Sequence, residues 1–99
     1  MNISYVLITA ARNEEAYIEK TIKSVLFQTI KPKKWVVVND ESTDCTGEII
    51  NKYSERFSFI QLLNIKGDTN RNTASKVKAL NKAMNQLEGL NYEFIGNID

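Results

Sequence analysis

Four short apolar runs, of which the first is rich in β-branched residues, alternate along the chain with amphipathic helical patterns. The apolar runs cover 3–9, 35–38, 59–63 and 92–98. Between them, apolar residues recur at helical spacing, at Ile18, Ile22, Val25 and Leu26, then Ile49, Ile50 and Tyr53, then Val77, Leu80, Met84 and Leu87. Strands that alternate with helices predict a mainly parallel four-stranded sheet with right-handed crossovers and helices on both faces. The expected fold class is therefore α/β with three layers, α/β/α.

Turn and capping residues support this division. Pro32 follows the first helical pattern, and Gly89 follows the third, where a glycine commonly ends a helix. Ser42 or Thr43 is expected to cap the second helix. Because the chain has 99 residues and lacks a linker or an internal repeat, residues 1–99 are expected to form one domain.

Composition narrows the function classes. The net charge is +1 and only Lys31, Lys33 and Lys34 cluster, so no nucleic-acid partner is expected. Histidine is absent, so any chemistry must use carboxylates, amides and hydroxyls. The single cysteine, Cys45, excludes an internal disulfide, fits a reducing compartment and is expected as a half-buried helix residue.

The N-terminal residues lack the basic opening and apolar stretch of a signal peptide. No apolar run approaches the roughly 20 residues of a membrane helix. We therefore expect a cytoplasmic location.

Carboxylate-rich segments follow three of the predicted strands, at 10–15, at 39–44 and at Asp99. In a parallel α/β sheet, ligands bind outside the carboxyl ends of the strands, near the point where the strand order reverses. Helix capping is an alternative explanation for most of these side chains. Asp40 is harder to explain in this way, because it stands at a strand end before any cap is needed. Carboxylates gathered there would repel one another unless a donor-rich ligand or a cation lay among them.

These segments resemble glycosyltransferase family 2 of the GT-A fold. Residues 6–15, VLITAARNEE, are similar to the opening of that family, and 36–46, VVVNDESTDCT, to its valine-rich strand with paired aspartates. Residues 76–83, KVKALNKA, are similar to the family's helix before the metal motif. Asp99 falls where the first aspartate of an Asp-x-Asp motif is expected. The resemblance implies the Rossmann-like, nucleotide-sugar-binding half of a GT-A fold, with strand order 3-2-1-4.

The resemblance also implies roles for individual residues. The nucleotide-sugar-binding residues it indicates are Ala10, Asn13, Glu14, Asp40, Lys76 and Asp99. Asp40 would accept a hydrogen bond from the base, commonly uracil, and Ala10 would line the base pocket. Glu14 would lie near the base or ribose. Asp99 would face the ribose and the metal-bound diphosphate, as the first residue of an incomplete metal motif.

The implied reaction is sugar transfer from a nucleoside-diphosphate sugar, with a UDP-sugar as the leading candidate, to an acceptor hydroxyl with inversion. Mg²⁺ or Mn²⁺ would assist the departing diphosphate. No residue of 1–99 matches the family's catalytic base, so this truncated domain is expected to bind nucleotide weakly and to transfer nothing alone. The edge at 92–98 is expected to self-associate. Some members of the family carry membrane helices. Association of the parent protein with the cytoplasmic face of the membrane is therefore an alternative location.

The chain departs from the family pattern in four places. Ala10 stands where proline is usual, which is expected to leave the turn after the first strand less rigid. Asn39 replaces the first paired aspartate, and Glu41 replaces a glycine, which is expected to alter that turn. The glycines usual around 71–75 are missing.

Other classes fit less well. Dinucleotide oxidoreductases and nucleotidyltransferases need a glycine-rich loop after the first strand, and 10–15 contains no glycine. A receiver domain would need an aspartate where Asn64 stands. A non-catalytic, sugar-nucleotide-like interaction module is the alternative that the sequence leaves open.

Overall fold

The computed structural model describes residues 4–65, 81–90, 92 and 94–97. The elements bounded there are β1 (Tyr5–Ala11), α1 (Ile18–Leu26), β2 (Lys34–Asp40), α2 (Thr46–Arg56), β3 (Ile60–Ile65) and β4 (Phe94–Asn97). Residues 81–86 are also helical. The strands pair in parallel in the order β3-β2-β1-β4. This confirms the predicted parallel sheet and its order.

Helices α1 and α2 cover one face of the sheet, which we call the α1/α2 face. The buried residues that meet there are Leu7, Ala11, Ile18, Ile22, Val25, Trp35, Val37, Ile50, Tyr53 and Ile60. Because side chains alternate along a strand, every second residue of β1 and β2 points to this core. The apolar stripes predicted for the first two helices are therefore the buried ones.

The other sheet face, which we call the opposite face, packs against the helical stretch 81–86 and the turn after it. Val6, Ile8, Val36, Val38 and Ile65 meet Ala83 and Leu87 in this second core. The third layer of the predicted α/β/α architecture is thus present. The predicted stripe is wrong at Met84, which is 43% exposed, since the buried face of the helix runs through Ala83 instead. Val77 and Leu80 lie outside the described residues.

Trp35 is the largest fully buried side chain, and its polar atom has a partner. The indole Nε1 donates a hydrogen bond to Oγ1 of Thr9 at 2.9 Å, and Thr9 itself is 2% exposed. A buried indole N–H without an acceptor would destabilise the fold. The pair therefore joins β1 to β2 inside the core below α1.

Two predictions about the start of α2 are wrong. The helix begins at Thr46, and Asp44 rather than Ser42 or Thr43 satisfies its first turn, because Asp44 Oδ1 accepts a hydrogen bond from the Thr46 amide at 3.0 Å. Cys45 is exposed at the N-cap position instead of half-buried within the helix. The prediction for Gly89 is confirmed, since it follows the 81–86 stretch with φ +87°.

Candidate functional site

Ala10 and Asp40 lie at the carboxyl ends of the two central strands. Ala10 pairs with Val38, and Asp40 pairs with Ile65. By strand alternation both belong to the opposite face of the sheet, and both are half-buried. Because β1 lies between β2 and β4, this edge is where the strand order reverses. Both predicted site residues therefore lie at the edge where ligands bind in such sheets, with Asp40 two residues beyond Val38, the partner of Ala10.

The chain turns sharply immediately after Asp40. Glu41 has φ 49°, in the left-handed region that favours glycine. Its amide donates to the carbonyl oxygens of Asn39 and Ile65, both at 3.1 Å. Glutamate thus adopts a glycine-like conformation where the resemblance indicates glycine, and these backbone contacts hold the residue that follows Asp40.

Asn13 connects the loop after β1 with the loop after β2. Its side-chain Oδ1 accepts hydrogen bonds from the amide of Thr43 at 2.8 Å and from the Thr43 hydroxyl at 3.2 Å. The Asn13 amide donates to Oγ of Ser42 at 3.0 Å. Asn13 also has a left-handed φ of 51°, a conformation that asparagine tolerates better than most residues. The two loops are therefore held as one unit.

Glu14 and Glu15 extend this connection toward the start of α2. The Glu14 amide donates to Oγ1 of Thr46 at 2.8 Å. Glu15 contacts the same region twice, as its amide donates to Asp44 Oδ2 at 3.3 Å and its Oε2 accepts from the amide of Cys45 at 3.0 Å. The Glu15 side chain thus does bind the amino-terminal end of a helix, but that helix is α2 and not α1, which follows Glu15 in sequence.

Two pKa shifts follow from these contacts. The hydroxyl of Thr46 hydrogen-bonds to Asp44, and with the amides of Thr46 and Glu15 it lowers the pKa of the Asp44 carboxyl against a smaller effect of desolvation. The pKa of Cys45 is raised, first by its hydrogen bond with Glu15 and then by the charges of Glu48, Glu15 and Asp44. Cys45 therefore stays a neutral thiol, which is a poor nucleophile.

The sequence did not point to an amide pair that supports the second loop. Asn39 Nδ2 donates to Asn64 Oδ1 at 2.9 Å, and Asn39 Oδ1 accepts from the amide of Ser42 at 3.3 Å. A Cβ atom at Gly47 would stand 2.5 Å from Asn39 Nδ2, so the amide packs directly on this glycine. Asn39, which replaces an aspartate of the family pattern, uses both its donor and its acceptor here.

Glu14 also lines a cavity of about 240 Å³ together with Thr9, Tyr17, Ile18 and Thr21. Thr9 and Ile18 place this cavity on the α1/α2 face, whereas Ala10 and Asp40 belong to the opposite face. The structure thus brings Asn13 and Glu14 to the same edge as Asp40 but directs Glu14 toward α1. Its role near the base or ribose stays a prediction.

The remaining predicted site residues, Lys76 and Asp99, lie outside the described residues. Within the ranges 4–65, 81–90, 92 and 94–97, no three carboxylate or thiol side chains lie together as a metal site would require. The part of the chain that the structure describes therefore does not supply a fitting cation site by itself.

In the same part, no helix is long and apolar enough to cross a membrane.

A parallel sheet of this order, with acidic and amide-rich loops after its central strands, defines an α/β protein with a Rossmann-like fold. The model of the family described as "Glycosyl transferase family 2" matches residues 6–99. The chain belongs to this family, which confirms the resemblance.

Three curated proteins illustrate the similarity. "Probable glycosyltransferase YdaM" of Bacillus subtilis is 37% identical over 59 residues, 58% of this chain and 14% of that protein. "Glycosyltransferase GlyA" of Streptococcus pneumoniae is 33% identical over 96 residues, covering 94% and 12%. "Poly-beta-1,6-N-acetyl-D-glucosamine synthase" of Staphylococcus epidermidis is 32% identical over 99 residues, covering 98% and 21%. The chain thus spans about a fifth or less of the length of these relatives.

Proposed function

We propose that the protein serves the transfer of a sugar from a nucleoside-diphosphate sugar, a UDP-sugar first among the candidates, to an acceptor hydroxyl. Residues 1–99 would form the nucleotide-sugar-binding part of a larger catalytic domain. The family match over 6–99 supports this, as do the relatives named as glycosyltransferases, which are several times longer than the chain. A cytoplasmic location is part of the same proposal, supported by the single unpaired cysteine.

The placement of Asp40 and Ala10 on one sheet face, at the carboxyl ends of neighbouring strands, is the observation that carries the proposal. A carboxylate accepts but does not donate hydrogen bonds, which suits the N3–H of uracil. The small side chain of Ala10, on the neighbouring strand and the same sheet face, leaves room for a planar base. A charge-assisted hydrogen bond in a half-buried position is stronger than a neutral one. Asp40 would thus select the base, and Ala10 would shape its pocket.

The two connected loops would position this pocket. Asn13 holds the loop after β1 against Thr43, so the first loop moves only if the second moves with it. In the proposed complex Glu14 lies near the base or ribose, and Lys76 approaches the nucleotide from the third predicted helix. Preorganised loops reduce the entropy lost on binding. The loops would therefore contribute to affinity as well as to shape.

Asp99 is the proposed metal-binding residue, facing the ribose and the diphosphate. A divalent cation, Mg²⁺ or Mn²⁺, would when bound neutralise charge on the departing diphosphate, and oxygen ligands suit both ions. Inversion at the sugar carbon would require a carboxylate base from another part of the protein. None of the described residues is assigned that role.

A nucleotide titration tests the proposal. Amide chemical shifts of the labelled protein are followed during addition of UDP, GDP and CDP, each with and without Mg²⁺. We expect UDP to move the resonances of Ala10, Asp40 and the loop residue Asn13 more than those of α2, and we expect Mg²⁺ to enhance the effect. If no nucleotide moves any of these resonances, the proposal fails and a non-catalytic interaction module is the better interpretation.

Self-association through 92–98 is a second, separate proposal. Within the described sheet β4 pairs with β1 along one side, and Ile95 on this strand is 46% exposed. An apolar edge strand is a template for pairing with another chain. Light scattering of the protein and of an Ile95→Lys variant tests this. We expect dimers that the charge abolishes, and a monomer at every concentration would disprove the proposal.

A further inference from the structure

The charges of this chain are unevenly distributed along the sequence. Residues 20–39 contain five lysines and no acidic residue, although the whole chain has 13 basic and 12 acidic side chains. Lys31 and Lys33 lie between α1 and β2, and Lys34 is the first residue of β2, at the amino-terminal edge of the sheet. The carboxylates of the two connected loops lie at the other edge, after the strands end. Among the described residues, the connection from α1 to β2 is therefore cationic, whereas the two connected loops are rich in carboxylates.

The same cationic segment exposes large apolar side chains. Phe27 is 86% exposed, more than the other exposed large apolar side chains of the described residues, and Ile30 is 43% exposed. Both belong to the connection from α1 to β2, which also contains Lys31 and Lys33. Scattered apolar residues on a surface are ordinary. Here an aromatic and an aliphatic side chain are exposed on one short segment that also carries lysines.

Tyr5 holds this connection in place from within β1. Its hydroxyl donates to the carbonyl oxygen of Ile30 at 2.6 Å, and Gln28 Oε1 lies 3.2 Å from the same hydroxyl. The amide of Lys33 donates to the carbonyl oxygen of Tyr5 at 2.7 Å, and Pro32 is buried. The connection is thus anchored at several points, while Phe27 and Ile30 on it stay exposed.

We propose that residues 27–33 dock on an anionic lipid surface. Phe27 and Ile30 would enter the boundary between headgroups and acyl chains, and Lys31 and Lys33 would face the acidic headgroups. Lys34 Nζ donates to the carbonyl oxygen of Gln86 at 3.2 Å and is not part of this surface. Apolar and cationic side chains that are interleaved on one exposed segment match the two layers of such a surface. The carboxyl-end loops then point away from the lipid and into solution. This inference is independent of nucleotide binding.

Vesicle sedimentation tests the docking. The protein is mixed with vesicles of phosphatidylcholine containing phosphatidylglycerol, and with vesicles of phosphatidylcholine alone. We expect binding to the anionic vesicles only, weakened by salt. The double variant Lys31→Gln/Lys33→Gln should bind about 25-fold more weakly, from about fivefold for each lysine near the surface. Phe27→Ser should also weaken binding, and circular dichroism should show that both variants are folded.

A matched double variant provides the control. Lys52→Gln/Lys82→Gln removes two exposed lysines of α2 and the 81–86 stretch and should bind as the unaltered protein does. The inference is overturned if the unaltered protein stays in solution with anionic vesicles, if neutral vesicles bind it equally, or if the control variant loses as much as the test variant. Binding to polyglutamate but not to vesicles would also overturn it, and would assign the surface to an acidic protein.

Discussion

Asn13 and Thr43 are 30 positions apart in sequence, yet Asn13 Oδ1 accepts hydrogen bonds from both the amide and the hydroxyl of Thr43. Because both donors belong to Thr43, Asn13 needs only acceptor capacity at this atom. Its φ of 51° adds a second requirement, for a residue that tolerates the left-handed region. The connected loops therefore depend on Asn13 through its oxygen and its backbone together.

Two substitutions at Asn13 separate these requirements. Asn13→Asp keeps an acceptor for both donors, whereas Asn13→Ala removes it and retains the strained φ. We expect Asn13→Ala to lower the free energy of unfolding by about 2 kcal/mol, and Asn13→Asp to cost clearly less. Urea denaturation measures both. Equal losses in the two variants would show that the oxygen of Asn13 does not hold the loops.

The buried pair of Trp35 and Thr9 gives a second prediction. Thr9→Val keeps the shape of the side chain but leaves the indole N–H without its acceptor, so we expect a loss of about 1–3 kcal/mol. Thr9→Ser keeps the hydroxyl and should lose only the methyl contribution, about 1 kcal/mol. Since Trp35 is the only tryptophan, its fluorescence reports unfolding directly. A Thr9→Val variant as stable as the unaltered protein would contradict this role.

Glu41 provides a prediction of increased stability. Its left-handed φ is strained for a residue with a side chain, so Glu41→Gly should relieve strain while increasing the entropy of the unfolded chain. We expect Glu41→Gly to raise the free energy of unfolding by up to about 1 kcal/mol. Glu41→Val should lower it, because a branched side chain tolerates this φ least. Thermal unfolding of the variants measures the order. A lower unfolding temperature for Glu41→Gly than for Glu41→Val would show that the backbone at Glu41 is not strained.

Asp44 makes stability depend on pH on the acid side. Its pKa is lower in the folded protein than the ordinary value of 3.8, chiefly because of the Thr46 hydroxyl. A carboxyl with a lowered folded pKa contributes stability that is present above its unfolded pKa and lost as the pH falls through its folded pKa. We expect Asp44→Asn to be less stable than the unaltered protein at neutral pH. The difference should shrink below pH 3.8, and a difference independent of pH would contradict this.

The sequence predicts the sheet well because each strand is a local apolar run. The β-branched run of 35–38 indicates β2, although the strand continues to Asp40, since pairing with Ile65 extends it. The same applies to β1, which extends to Ala11 by pairing with Asn39. Strand ends are determined by partners that are remote in sequence, so a local pattern locates a strand better than it locates its boundary.

The candidate site is less predictable for the same reason. Asp40 and Ala10 follow from strand ends and topology, which the sequence pattern indicates. The sequence pattern does not indicate the cap of α2. Thr43 bonds to the Asn13 side chain and Ser42 bonds to the Asn13 amide, so Asp44 takes the capping role. Hydroxyl and amide side chains can satisfy either local or distant groups. Only the folded structure shows whether each of these side chains bonds to a local or to a distant group.

The affinity of UDP for Asp40→Ala compared with Glu41→Ala tests the central claim most directly. The two carboxylates are adjacent in sequence, but Asp40 belongs to the sheet and Glu41 is an exposed turn residue. Calorimetric titration should show UDP binding to the unaltered protein that weakens about 10- to 100-fold in Asp40→Ala and less than about twofold in Glu41→Ala. Equal affinity of both variants, or no binding of UDP to the unaltered protein, would contradict the assignment of Asp40 to the nucleotide base.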